Sequence, residues 1–199
     1  PFWAVQIGAN ALILGMIALT IVFLAGYGGM ISLAQVTVAG VAGYSIAYFG
    51  INNVGVGILL PWPVGVLIAL TLGTFAGFLI GLISVRTQGI YMLMITLALS
   101  VVFFYFARQN YTLFNGFTGF NGVTAPVVGG IDLRGPVVFY YLCLVAAGLS
   151  YGFVRYIERS PFGLALQGIR DNERRMRALG YWVGFHRIAA FTLMGLMAS

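Results

Sequence analysis

The chain has 199 residues, 61% of them hydrophobic and 7% charged, with a formal net charge of +6. Soluble domains carry about 25% charged residues, so a mean hydropathy of +1.00 excludes the soluble classes and points to an all-α, polytopic transmembrane helical bundle. A membrane β-barrel needs alternating segments of roughly ten residues, shorter than the apolar runs present here.

Residues 4–25 form one apolar run of span length, since roughly 20 helical residues cross the hydrocarbon. Gly26-Tyr27-Gly28-Gly29 then breaks the helix through backbone permissiveness. Ser32-Leu33-Ala34-Gln35 has the form of a capping box, in which the Ser32 side chain accepts from the N3 amide and Gln35 reaches back. A second span is therefore expected over residues 32–49, with Ala39, Gly43 and Ala47, four apart, as a small-residue contact face.

Residues 61–84 read as the third span. Gly65, Ala69, Gly73, Gly77 and Gly81 recur along it at four-residue spacing. A face of small residues lets two backbones approach closely, so packing on another helix of the same subunit is expected, with a pore-lining face as the rival. Arg86-Thr87-Gln88-Gly89 is a turn, and residues 90–107 form the fourth span. Residues 108–136 read as a polar loop with turns at Asn115-Gly116 and Asn121-Gly122, the later part bounded by Pro126 and Pro136. Residues 137–154 form the fifth span. A sixth opens at Ile188 and is cut short at Ser199, giving about six spans in what reads as a single transmembrane domain, 1–199, truncated at both ends.

Between the last two spans lies a charged island, 155–187, which holds ten of the fourteen charged residues, seven of them Arg. An Arg-rich loop beside apolar spans stays in the cytoplasm. That orientation puts the 85–89 turn inside and the 108–136 loop outside, with eight Arg inside against two outside. Pro1 then falls outside, so a lost N-terminal anchor or span is expected. The same asymmetry accounts for the net charge without any nucleic-acid partner.

Within the island, Ser160-Pro161 reads as N-cap and N1 of a short helix ending near Ile169. Asp171 is expected to cap a second helix, with Glu173 in its first turn, Arg174, Arg175 and Arg177 later, and Gly180 at the left-handed C′ position. Met176 and Leu179 share one face. Such an element suits either docking into a partner's groove or lying on lipid headgroups.

The remaining chemistry is sparse. Cys143 is alone, so no internal disulfide or cysteine metal site is expected. Lysine is absent, which excludes a Walker A motif and its nucleotide site. No ionisable residue falls near the middle of a span, which argues against a proton-driven pump. His186 borders the last span and reads as an interfacial histidine. No hydroxyl has the base that an intramembrane hydrolase needs.

Four ordered stretches resemble a known family. They are residues 160–180 (SPFGLALQGIRDNE through RALG), 26–44 (GYGGMISLAQVTVAGVAGY), 86–97 (RTQGIYMLMITL) and Thr118-Gly-Phe-Asn-Gly122, where Phe120 departs from the family's simpler pattern. Together they resemble the permeases of ATP-binding-cassette importers for branched-chain amino acids, the LivM-like family. The resemblance implies a bacterial or archaeal inner-membrane importer subunit that is not itself an enzyme. Its partners would be a second related permease, two ATPase subunits that bind the ATP, and an external solute-binding protein.

It also implies ATPase coupling through Arg170, Asp171, Glu173, Arg174, Met176, Leu179 and Gly180. Ser32, Leu33 and Gln35, with Thr118 and Asn121, would lie near the substrate pathway. A helix N-terminus beside a Gly-rich break offers N–H groups to a carboxylate. The topology count nevertheless puts Ser32 near the cytoplasmic side, whereas a solute site suits the midplane. The family shares its motifs with urea and amide importers. A stand-alone channel or a membrane-embedded enzyme would be the readings from other classes.

Overall fold

The computed structural model describes residues 2–50, 60–87, 89–116, 119–120, 127–128, 131–132 and 135–199. Among them the long helices are α1 (Phe2–Gly26), α2 (Gln35–Phe49), α3 (Trp62–Ser84), α4 (Ile90–Gln109), α6 (Pro136–Arg159) and α9 (Val183–Ala198). Shorter helices are α5 (Tyr111–Phe114), α7 (Pro161–Asp171) and α8 (Glu173–Ala178), and strands β1 (Val127–Val128) and β2 (Ile131–Asp132) form a two-residue antiparallel ladder. The protein is thus a polytopic helical membrane bundle, as its composition requires.

Four helices, α1, α3, α4 and α6, are long and apolar enough to cross a membrane. Of the two remaining expected spans, α2 is shorter: its 15 residues measure about 22 Å at 1.5 Å per residue, less than the ~30 Å hydrocarbon. Helix α9 opens at Val183, ahead of the expected Ile188, so Arg187 of the charged island lies within it. In α2 the reason is visible: Tyr27 to Ala34 is not helical. The charged island begins on a helix, because α6 runs through Arg159 rather than ending near Val154.

Small residues set the helix pairings. A Cβ added to Gly77 would lie 2.9 Å from Gly195 Cα and 3.1 Å from Phe191 O, and one added to Gly81 would lie 2.9 Å from Phe191 Cβ. Gly73 meets Ser199, and on its other side the Ala42 Cβ of α2. The stripe on α3 therefore packs against α9, antiparallel, as the close-packing expectation has it. The expected face on α2 is a different matter. Gly43 is exposed with nothing near its Cβ position, and α2 buries Val38, Ala42 and Ser45 instead. Ala47 alone of the expected trio is buried.

Helices α1 and α6 run side by side in the same direction, Gly8 beside Tyr140 and Met16 receiving the Ser150 hydroxyl. The core, Phe23, Leu24, Met30, Val38, Ile80, Met92, Leu166, Phe191 and Met194 among others, joins these helices to α7. Gly184 lies against Val85, and Arg170 against Gly29. The 85–89 turn, the 27–34 break and the arginine-rich segment thus share one end of the bundle.

Candidate functional site

The break between α1 and α2 is a stretch of non-helical backbone inside the protein. Side chains alternate along it: Met30, Ser32 and Ala34 are buried, while Ile31 and Leu33 are exposed. Non-helical backbone at membrane depth survives only where protein supplies its hydrogen bonds. Here Met30 N–H donates to Leu24 O at 2.9 Å, Leu33 N–H to Thr96 Oγ1 of α4 at 3.4 Å, and Ala34 N–H to Ser32 Oγ at 3.3 Å. Thr96 lies less than two turns into α4, about 9 Å from its start, so the break reaches about a third of the way along α4 from the arginine-rich end. Ser32 sits toward the arginine-rich end rather than at the midplane.

These bonds correct the capping-box expectation. Helix α2 starts at Gln35 with Ala34 as N-cap and no side-chain cap. Ser32 instead serves the amide two residues on, within the non-helical segment itself. Gln35 is 1% exposed, and its Oε1 has no partner among the described residues. The N-terminus of α2 therefore offers uncapped N–H groups next to a buried amide oxygen.

At the arginine-rich end, α7 is capped by Ser160, whose Oγ accepts from Gly163 N–H at 3.3 Å, with Pro161 in its first turn. The cap of α8 is Asn172, not Asp171: its Oδ1 accepts from Arg175 N–H at 3.0 Å, while Asp171 ends α7 and pairs with Arg170 at 2.9 Å. At the far end Gly180 has φ +88°, Tyr181 N–H donates to Met176 O, and Gly180 N–H to Arg177 O. This is the Schellman pattern that an αL glycine permits.

Two ties run from these short helices to the membrane helices. Arg170 donates to Gly26 O, and its side chain fills the space beside Gly29, whose φ of +64° and close neighbour suit glycine. Glu173 takes Arg177 on one carboxylate oxygen and Arg187 of α9, 3.0 Å away, on the other; Arg187 is only 12% exposed. Tyr27, just past α1, is held above its ordinary phenol pKa, chiefly by its hydrogen bond to Glu158 and then by burial. His186 stacks on Phe162 and lies beside Tyr181 and Phe185, with Nδ1 3.0 Å from Trp182 O.

Along the outer faces of α2 and α4 runs a cavity of about 480 Å³. Thr37, Tyr44, Ser100, Phe103, Phe104 and Arg108 line it, with Gly40 making room for the Phe103 ring at 3.6 Å. It lies toward the end away from the arginine-rich loop.

Of the residues singled out for the substrate pathway, Ser32, Leu33 and Gln35 come together at the break, while Thr118 and Asn121 lie outside the described residues. Of the coupling group, Met176 is half-buried under Gly168, whose added Cβ would sit 2.8 Å from its Sδ, whereas Arg174, Leu179 and Gly180 are exposed. Sequence reasoning missed Thr96 and Arg187 as partners. Thr96 stands in the quoted 86–97 motif, which was the available signal. Arg187 is 14 residues from Glu173, beyond any local rule.

Comparison with known proteins bears on the whole chain. Residues 4–199 match the family described as branched-chain amino acid transport system / permease component. A relative from Methanocaldococcus jannaschii, "Probable branched-chain amino acid transport permease protein LivM", is 29% identical over 70% of this chain and 41% of its own length. "High-affinity branched-chain amino acid transport system permease protein LivM" of Escherichia coli strain K12 is 24% identical over 87% of this chain and 43% of its own. The chain thus spans about two fifths of the length of these curated relatives. No solved structure matches. With its helical membrane bundle and a match over nearly its whole length, the chain belongs to the family of branched-chain amino acid transport permease components.

Proposed function

We propose that this chain forms part of the membrane-spanning permease of an ATP-binding-cassette importer for branched-chain amino acids, seated in the inner membrane with 155–187 in the cytoplasm. A second permease would complete the pathway, an external binding protein would supply the solute, and two ATPase subunits would bind the ATP. The observation that carries this is the α7–α8 pair. It is capped at its helix ends, presents Leu164 at 61% and Leu179 at 66% exposure, and is tied to the membrane helices by Arg170 and Glu173.

Those features suit a lever. An ATPase surface closing on Leu179, with Arg174 at the rim, would move α8 as a rigid body. Glu173 would pass the displacement to Arg187 and so to α9, which is locked to α3 by the glycine seam. Arg170 would pass it to Gly26–Gly29 and the break. The uncapped N-terminus of α2 and the amide of Gln35 lie beside that moving part, where a solute carboxylate finds free donors. The glycine stripe is occupied by α9, so a channel lined by it has lost its main support.

Affinity purification of the intact complex from native membranes tests the reading. An ATPase subunit should co-purify, and depleting ATP should stop uptake. Recovery without any ATPase, together with uptake that persists after ATP depletion, would establish a facilitator instead.

A further inference from the structure

We infer that the groove between α2 and α4 is an outer station for the solute, with Arg108 as its carboxylate anchor; this rests on the importer reading above. The groove's volume, about 480 Å³, falls in the roughly 300–1,000 Å³ range of small-ligand sites. Its lining is divided in the way an aliphatic α-amino acid is divided. Tyr44, Phe103 and Phe104 supply aromatic faces, Thr37 and Ser100 supply hydroxyls, and Arg108 is the one cation among the described residues of the lining.

Arg108 stands in the last turn of α4, with its guanidinium carbon 5.7 Å from the Phe104 ring centre. A guanidinium has five N–H donors in a planar fork. It can therefore hold a carboxylate in two hydrogen bonds while keeping its place over that ring. The ligand's branched side chain would then fall against Phe104 and its neighbours, where burial rather than charge selects it.

The groove also has a direction. From Tyr44 to Val36, both in its lining, α2 descends eight residues, about 12 Å. Val36 is the second residue of α2, so the inner end of the groove meets the uncapped N-terminus of that helix and its backbone N–H groups. A carboxylate released by Arg108 would thus find a second group of donors at the other end. Between the stations, Leu33 N–H on Thr96 Oγ1 joins the break to α4.

The test is binding of radiolabelled leucine to the intact transporter complex in nanodiscs, without the solute-binding protein, whose own selectivity would mask the effect. Competitors are 4-methylvalerate, which keeps carboxylate and branched chain, and leucinamide, whose carboxylate is neutralised. In the wild type the acid should compete and the amide should not. Arg108→Gln should weaken leucine binding about tenfold or more and erase the preference, with Arg108→Lys intermediate. Retention of the ATPase by Arg108→Gln keeps a failure of this site distinct from a failure of the importer reading.

Wild-type affinity and preference in Arg108→Gln would overturn the assignment. Absence of leucine binding, or equal competition by acid and amide, would overturn it in the wild type alone, whatever the variants' folding. A disulfide from Ser100→Cys to the second permease that leaves leucine binding and preference intact would make the groove a subunit seam, which also overturns it.

Discussion

The seam between α3 and α9 and the break between α1 and α2 are both buried in the bundle, yet they are held by opposite means. At the seam, side chains are removed until backbones meet, and Gly77 faces Gly195 with room for nothing larger. At the break, side chains are recruited, because backbone groups without helical partners take hydroxyls from Ser32 and Thr96. Close packing holds the seam, whereas the break rests on a few hydrogen bonds, two of them long, at 3.4 and 3.3 Å. In the lever proposed above, which moves one part against a fixed frame, each region would be suited to its part.

The sharpest way to break this contrast is at the seam. Gly77→Leu drives a side chain into the α9 backbone, which cannot yield as a side-chain tip can, so destabilisation of about 3 kcal/mol or more is expected. Size-exclusion profiles in detergent should show aggregation or loss of the folded species. Gly43→Leu, with open space around it, should elute like the wild type. Equal behaviour of the two variants would remove the seam's special status.

A smaller effect is expected at the break. Thr96→Val leaves the Leu33 amide without its partner, a cost of about 1–3 kcal/mol, whereas Thr96→Ser should retain most stability in thermal-shift assays. Gln35→Met removes an acceptor that nothing among the described residues uses, so it should be neutral or slightly stabilising. A large loss in Gln35→Met would reveal a partner that the account lacks.

The two regions also differ in how far the sequence discloses them. The four-residue period of small residues on α3 left packing and pore lining open as uses, and the structure puts Gly73, Gly77 and Gly81 to the first. Six apolar runs announced the bundle, although α2 starts at Gln35 rather than Ser32 and α9 at Val183 rather than Ile188, because hydrophobicity does not report where a buried chain leaves or enters the helix. The Ser32–Gln35 pattern has the right letters for a capping box, but the local rule takes no account of a hydroxyl 63 residues away competing for the same stretch. Asp171 and Asn172 are equally good caps, and which of two neighbours serves depends on where α7 ends. Cap residues and the αL glycine were legible at α7 and α8; the tie from Glu173 to Arg187 required the fold.

That one-residue correction gives the smallest expected effect. Asn172→Ala should cost about 1 kcal/mol of local helix stability, read as faster amide exchange over residues 173–178, and Asp171→Ala should leave those amides unchanged. The reverse order would restore Asp171 as the cap.

The most direct measurement of the central claim is solute-stimulated ATP hydrolysis by the reconstituted transporter carrying Leu179→Asp. The side chain is 66% exposed, so the substitution should leave the subunit folded and inserted. With a charge at the docking point, stimulation should fall to the basal rate, and Gly180→Val, which strains a φ of +88°, should reproduce it more mildly. Wild-type stimulation by Leu179→Asp would mean that α8 lies on lipid headgroups rather than against an ATPase.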